Sequence, residues 1–202
     1  SGEINLADAK ITATDAINAK ATDKAKSKSY ILDAGLKVYG YTGVFAYNTN
    51  TSQTGITVSD KSNLKAPAIN LDTPNQTYRA TDTLAISAGA INVQTSPSEA
   101  KDESKNYIKV EGEDNIFTAD TLNFNALNGA QTYSHTNGQA YLGLNAIVAN
   151  AVANSKTTAQ IDIADANQLL ADTVNITAQI GEDNKYTAES TGFAINGSAV
   201  GV

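Results

Sequence analysis

The sequence predicts an all-β protein, a parallel β-helix or β-solenoid in which about four repeats of 52–58 residues stack along one axis. Three observations support this. Similar short anchors recur at nearly constant spacing, each anchor alternates apolar and polar residues, and Asn, Asp, Gly, Ser and Thr separate the anchors. Short strands of this kind bury their apolar side chains only when neighbouring repeats stack.

The first anchor is an apolar–polar run that occurs four times. Successive copies are 58, 53 and 52 residues apart and begin at Leu6, Leu64, Phe117 and Leu169. In the second copy, Ile69 and Leu71 would face one side of a strand and Asn70 the other. The runs predict short strands, and a repeat of this length accommodates either two coils or one coil with an excursion.

Two further anchors keep the same order. One comprises Ile56, Ile108 and Ile161, and the other comprises Tyr78, Tyr133 and Tyr186. Because the repeats run from end to end without a linker, we predict one elongated domain over residues 1–202. Its approximate repeats are 6–63, 64–116, 117–168 and 169–202. The polar segment Thr95–Lys105 is the best candidate for a loop that leaves the solenoid.

Composition narrows the function classes. The net charge is −7, and Arg79 is the only arginine, so neither nucleic acid nor an anionic membrane surface is an expected partner. No apolar run is long enough for membrane insertion. There is no cysteine for disulfides or thiolate metal sites. The Ser1-Gly2 start and the lack of methionine predict a segment of a longer protein.

The densest aromatic group comprises Tyr39, Tyr41, Phe45 and Tyr47. An exposed row of such rings could stack on sugars, and Tyr39 and Tyr41 are therefore candidate contact residues. The interpretation that the pattern favours is instead that alternate members of the group pack in the core.

A second candidate surface consists of Asn70, Asn123 and Asn175, which occupy equivalent positions beside apolar residues. We expect them to form an outward row, with Thr12 at the corresponding position of the first repeat. Such a flat row could bind a ligand or ice. The simpler interpretation, which we favour, is that the amides hydrogen-bond along the stack and keep the surface hydrated.

Acidic clusters are the only material for catalysis or metal binding. Glycoside hydrolysis needs two carboxyl groups about 5–10 Å apart, and the candidates are Glu111, Glu113, Asp114, Glu182 and Asp183. Turns between strands explain both clusters more simply, and calcium-binding repeats are absent. The single histidine, His135, is expected on the surface. We therefore predict no catalytic residue, no metal site and no cofactor.

The run AIVANAVANSKTTAQIDIADANQLLADTVNITAQ, residues 146–179, resembles the repeats of large bacterial exoproteins of the filamentous haemagglutinin and leukotoxin type. The run AISAGAINVQT, residues 85–95, looks like part of a divergent copy. The resemblance implies a right-handed β-helix and export across the outer membrane by a type V or two-partner route. It also implies a secreted or surface-displayed adhesin or toxin stalk.

The expected function is accordingly a non-enzymatic structural or adhesive segment that serves as a rigid stalk and contact surface. Its expected partners are a glycan or protein of a host or neighbouring cell, and further copies of itself through the solenoid ends. Two alternatives stay open. One is a polysaccharide-active β-helix enzyme that uses Glu111, Glu113 or Asp114, and the other is a self-assembling filament module.

Overall fold

A computed structural model describes residues 2–181 and 185–195, and the described chain is all-β, without a helix. The strands in these ranges are β1 (Gly2–Ala7), β2 (Lys10–Thr12), β3 (Ala16–Lys20), β4 (Lys26–Leu36), β5 (Tyr39–Gly43), β6 (Ala46–Ser59), β7 (Asn63–Lys65), β8 (Ala68–Ala88), β9 (Ile91–Val110), β10 (Ile116–Tyr141), β11 (Leu144–Ile163), β12 (Gln168–Ile180) and β13 (Lys185–Ile195).

These strands form two sheets in which the strand pairs are parallel. Sheet A contains β1, β5, β6, β9 and β11, and sheet B contains the other strands. The chain runs along β8 in sheet B, crosses to sheet A as β9, and returns as β10 beside β8. Parallel neighbours need such a crossover, because a short hairpin can join only antiparallel strands.

Each repeat makes one turn of this two-sheet body. Ile116 pairs with Asn63 and with Gln168, and Leu144 pairs with Ile91, so equivalent residues are 52 or 53 positions apart. Neighbouring turns are therefore separated by about 4.8 Å, the spacing between paired strands. Of the two possibilities that the repeat length leaves open, the structure has a single coil with two long strands.

The strands are much longer than the anchors indicate, so the prediction of short strands is wrong. Strand β10 has 26 residues, and β8 has 21. The segment Thr95–Lys105 is not a loop but the middle of β9, and its residues alternate between buried and partly exposed. Its inward residues are small and polar, which hides the strand from a search for apolar alternation.

Register corrects two of the sequence anchors. Leu6 pairs with Val58 in sheet A, whereas Leu64 lies in sheet B and pairs with Ile11. The first repeat is therefore about five residues out of register in the sequence alignment. The isoleucine anchor is confirmed, because Ile108 pairs with both Ile56 and Ile161.

The tyrosine anchor is wrong, because its members do not occupy equivalent positions. Tyr78 pairs with Gln131, two positions before Tyr133, and Tyr186 pairs with Thr132. A shift of two keeps a residue on the same face of a strand, whereas a shift of one moves it to the opposite face. The three tyrosines therefore lie in the same region of sheet B but do not occupy equivalent positions of the repeat.

The interior of the body changes character along the strands. Near the turns at 111–115 and 164–167 lies an apolar end, whose fully buried members include Ile56, Leu64, Leu71, Ile108, Phe117, Leu122 and Phe124. The rings of Phe117 and Phe124 meet edge to face, with centroids 5.8 Å apart. Aromatic pairs favour this arrangement because the positive edge of one ring meets the negative face of the other.

Farther along the same strands the interior becomes a polar section. Its buried residues include Asn75, Arg79, Thr81, Thr83, Gln94, Ser96, Ser98, Asp102, Ser104, Asn106, Asn128, Ser134 and Thr136. Hydrogen bonds link the two sheets through these side chains. Asn128 Nδ2 donates to the carbonyl oxygens of Ser104 at 3.0 Å and of Thr158 at 2.8 Å, and Ser98 Oγ lies 2.7 Å from Ser134 Oγ.

Candidate functional site

The exposed aromatic residues lie on the outer face of sheet A. Tyr39 and Tyr41 lie on β5, Phe45 lies in the link between the strands, and Tyr47 lies on β6. The intervening Thr42, Val44 and Ala46 point inward and are buried. Tyr39 is 73% exposed and Tyr41 58%. The favoured interpretation, in which alternate members pack in the core, is therefore wrong. All four share the outer side because they share one parity along the strand.

Two of these rings lie along the sheet and do not project from it. A side chain at Gly43 would meet atoms of both Tyr41 and Phe45 at 3.0 Å, so the two rings converge over the glycine. Tyr41 Oη is also 2.6 Å from Thr95 Oγ1 on the adjacent β9. Glycine at this position leaves room for a flat aromatic surface.

The aromatic row continues into aliphatic residues on the neighbouring strands. Register sets Tyr39 beside Ile91 and then Leu144, and sets Tyr41 beside Val93 and then Ala146. We define the apolar face as the exposed residues Tyr39, Tyr41, Phe45, Tyr47, Ile91, Val93, Leu144, Val148 and Val152. The inward residues beneath it include Asn92, Gln94 and Ser96, so polarity is inverted here: the inside is polar and the outside apolar.

The asparagines Asn70, Asn123 and Asn175 form the outward row that the sequence predicts, on sheet B. Asn175 Nδ2 donates to Asn123 Oδ1 at 2.8 Å, and Asn123 Nδ2 donates to Asn70 Oδ1 at 2.6 Å. The fourth member is Asn18, which accepts from Asn70 at 2.7 Å. The expected fourth member, Thr12, pairs instead with Lys65. The amides bond along the stack, as the simpler interpretation predicts.

The first acidic cluster forms an exposed turn between β9 and β10. Glu111, Glu113 and Asp114 are exposed, and Asp114 has a positive φ of 62°. Asn115 holds the turn through its side chain, which donates to the Glu111 carbonyl oxygen at 2.9 Å. Asp and Asn are the non-glycine residues that best tolerate this conformation. Glu182 and Asp183 lie outside the described residues.

A charged cluster that the sequence did not reveal lies on the outside of sheet B. His135 Nδ1 is 2.9 Å from Asp82 Oδ1, and both side chains are half-buried. His135 also stacks on Tyr133, with centroids 6.3 Å apart, and Tyr133 Oη donates to Glu189 at 3.5 Å. Burial and the Glu189 carboxylate raise the pKa of the Tyr133 phenol. Only the register of three turns brings these residues together.

Three other basic residues make contacts away from this cluster. The guanidinium of Arg79 is buried between the sheets, 4.0 Å from the buried Asp102, and donates to the carbonyl oxygens of Ala25 and Tyr78 at 2.9 Å. Burial of this kind leaves it no access to a substrate. Lys105 and Lys109 flank the ring of Tyr107 at 5.7 and 5.4 Å.

Tyr107 lies flat across a neighbouring glycine on the outside of sheet A. A side chain at Gly55 would collide with the ring. The phenol donates to Glu3 at 3.0 Å, and burial together with this hydrogen bond raises the pKa of Tyr107. An aromatic ring that covers a glycine on a neighbouring strand replaces the packing that the glycine lacks.

Within residues 2–181 and 185–195, no three His, Asp or Glu side chains gather in a way that could hold a metal ion. The described part of the chain also has no helix with the length and apolar character needed to cross a membrane. No protein-family model, curated protein or solved structure matches this chain. The function is therefore inferred from the geometry of this chain.

Proposed function

We propose that this chain is a non-enzymatic structural and adhesive segment of a secreted or surface-displayed bacterial exoprotein. It acts as a stiff stalk that presents a contact surface. We further propose that its coil is a right-handed parallel β-helix. A connection between parallel strands of one sheet is almost always right-handed, and the path from β8 through β9 to β10 is such a connection.

The observation that carries this proposal is the apolar face on a rigid sheet. Monomeric soluble proteins rarely expose contiguous apolar patches larger than a few hundred Å², and larger patches usually mark interaction sites. The patch here is built on strands with 20-residue ladders, such as the pairing of β9 with β11. A contact surface on regular strands keeps its geometry better than one on loops.

The partner that we propose is a glycan or a protein of a host or neighbouring cell. The rings of Tyr41 and Phe45 converge over Gly43 and form an exposed aromatic surface. Such a surface suits the apolar side of a sugar ring or a flat protein surface. The net charge of −7 disfavours nucleic acid and anionic lipid as partners.

The proposal is tested by saturable binding of the purified chain to a panel of glycans and extracellular-matrix proteins at two salt concentrations. We expect affinity to change little with salt, because no residue of the apolar face is charged. Tyr39→Ser and Tyr41→Ser should weaken binding. Tyr30→Ser is the matched control, because Tyr30 is 55% exposed on sheet B, away from the apolar face.

Three outcomes count against the proposal. A circular-dichroism spectrum dominated by helix would exclude the fold on which it rests. Turnover of a polysaccharide that is lost in Glu111→Gln or Glu113→Gln would favour the enzyme alternative. Binding that survives Tyr39→Ser and Tyr41→Ser but disappears in Asn123→Ala would move the contact surface to the asparagine row.

A further inference from the structure

The apolar face has the size of a protein interface. Taking about 200 Å² for a whole aromatic side chain, its nine residues present on the order of 800 Å² of surface. A standard protein–protein interface buries about 800 Å² on each partner. The face is therefore large enough to form a stable complex without help from the rest of the molecule.

Charge is sparse on this face and increases beyond one end of it. One charged residue, Glu99 on β9, lies in the end row of the face, between Tyr47 on β6 and Val152 on β11. Beyond it the same side of sheet A becomes charged, with the ion pair between Lys101 and Glu103 at 2.7 Å. An apolar centre with a polar rim is the usual anatomy of a protein interface.

Few hydrogen-bonding side chains lie on the β9 and β11 part of the face. Between the rows of Tyr39 and Tyr47, the outward residues of β9 and β11 are mainly aliphatic, and Thr95 and Asn150 are the neutral polar exceptions. Thr95 already lies 2.6 Å from Tyr41 Oη. A sugar finds few direct hydrogen-bond partners on this part of the face, whereas an apolar protein surface needs none.

We infer that the apolar face is a docking surface for a second copy of this chain, packed sheet against sheet. The proposal names the partner of the contact surface and so rests on the proposed function. Packed sheets lie about 10 Å apart with strand directions within about 30° of each other. A face that meets its own copy forms an isologous interface around a two-fold axis.

The sizes of the outward side chains at the two edges of the face favour one direction for the two-fold axis. One edge of the face, on β5 and β6, carries aromatic rings, and the other edge, on β11, carries Leu144, Ala146 and Val148. An axis along the strands places the aromatic edge of each copy over the aliphatic edge of the other. An axis across the strands would place the aromatic edges of the two copies against each other. The smaller side chains on β11 would then face each other across a gap.

The axis along the strands also fixes which residues meet. This axis keeps paired residues at the same level along the strands and exchanges the β5 edge with the β11 edge. Tyr39 therefore lies opposite Leu144 of the second copy, and Tyr41 lies opposite Ala146. Each contact occurs twice in the dimer. Ile91 and Val93 on the central strand then meet their own counterparts near the axis, and Glu99 meets its counterpart at the end of the face that borders the charged surface.

The experiment measures molar mass by sedimentation equilibrium over a wide concentration range. We expect a reversible dimer. Tyr41→Lys or Ala146→Glu should each raise the dissociation constant at least about tenfold, because each buries an unpaired charge in the interface. Tyr30→Lys, at matched exposure on sheet B, should leave the mass distribution unchanged.

Mixing the two interface variants tests the pairing itself. In a mixed dimer, the introduced lysine and the introduced glutamate meet across one contact, while the other contact keeps the native tyrosine and alanine. We therefore expect the mixture to form a dimer at concentrations where each variant alone is monomeric. A mixture that stays monomeric overturns the axis along the strands and, with it, this proposal.

A fluorescence measurement keeps the proposal falsifiable if the charged variants fold poorly. The chain contains no tryptophan, so Tyr41→Trp introduces a single reporter. Its emission should be that of a solvent-exposed indole in dilute solution and should shift to shorter wavelength as the protein concentration rises. A reporter that is buried at every concentration, in a monomer, overturns the proposal.

The remaining outcomes separate this inference from the proposed function. A wild-type chain that stays monomeric overturns the second copy but leaves the face free, and the glycan and matrix panel then decides the proposed function. Association that persists in Tyr41→Lys and yields filaments places the contact at strand edges such as β11, which also overturns the sheet-to-sheet contact.

Discussion

The apolar end and the polar section of the interior are built by the same strands with the same repeat, yet they are held together differently. In the apolar end, Phe117, Phe124 and Leu71 exclude water, and removal of apolar surface from water stabilises the fold. In the polar section, side chains such as Asn128 join the sheets by hydrogen bonds, whose net contributions are individually small.

The difference teaches where each section is vulnerable. An apolar interior loses stability in proportion to the volume removed from it. A hydrogen-bonded interior is sensitive to the identity of each group, because an unpaired buried polar atom is costly. In the described residues, neither side-chain polar atom of Gln94 has a hydrogen-bond partner, although the residue is fully buried. Some buried polar groups of the polar section are thus left without a hydrogen-bond partner.

The largest effect is expected from a cavity in the apolar end. Phe117→Ala removes a fully buried ring and its edge-to-face partner contact with Phe124. We expect a loss of about 3–5 kcal/mol in the free energy of unfolding, measured by urea denaturation. Phe45→Ala, on the outer surface, is the control and should cost far less. Equal losses would show that the apolar end does not dominate stability.

The next effect tests the polar section. Asn128→Leu keeps the branched shape of the side chain but leaves the Asn75 amide and the Ser104 hydroxyl without their acceptor. We expect a loss of about 2–3 kcal/mol, again from urea denaturation. Thr83→Val, which removes one 2.7 Å contact to Thr136 Oγ1, should cost about 1 kcal/mol. A stabilised Asn128→Leu variant would mean that the polar section behaves as an apolar core does.

A third prediction concerns the boundary between the two sections, where Tyr107 covers Gly55. Gly55→Ala places a methyl group where the ring lies, and overpacking of this kind costs about 1–3 kcal/mol. In a Tyr107→Ala background the same change should be nearly neutral. A double-mutant cycle measures this difference, and additive losses would exclude the contact as the cause.

The smallest effect is a pH dependence of stability that comes from the phenol of Tyr107. Because the pKa of Tyr107 is raised in the folded chain, the folded state holds the phenol proton more tightly than the unfolded state. This contribution is complete below the unfolded tyrosine pKa of about 10 and is lost as pH rises through the folded value. Thermal unfolding at pH 9–12 should show a shallower alkaline decline in Tyr107→Phe than in the wild type.

The two sections also differ in how visible they are to sequence reasoning. The apolar anchors around Ile69, Ile108 and Phe117 show a period-two pattern, and the structure confirms that these residues are buried strand positions. The polar section alternates small polar residues with other polar residues, so that Thr95–Lys105 resembles a loop. Hydrophobic periodicity carries no signal where both faces of a strand are polar.

The candidate sites show the same limit. The asparagine row is visible because each member follows an apolar anchor at constant spacing. The exposure of Tyr39 and Tyr41 is not visible in the sequence. Alternation shows which residues share one side of a strand, but it does not show which side faces inward. The contact between Asp82 and His135 spans two turns of the chain, and it depends on a register that the shifted tyrosine anchor obscures.

The sequence by itself determined the all-β class, the repeat of about 53 residues and the isoleucine and asparagine rows, because a short period and a recurrent spacing are local properties of the chain. Only the tertiary structure decided the single long coil, the polar interior and the apolar outer face. The physical reason is that a strand has two equivalent sides. Which side becomes the interior depends on the sheet packed against it, and that sheet is formed by residues half a turn of the chain away.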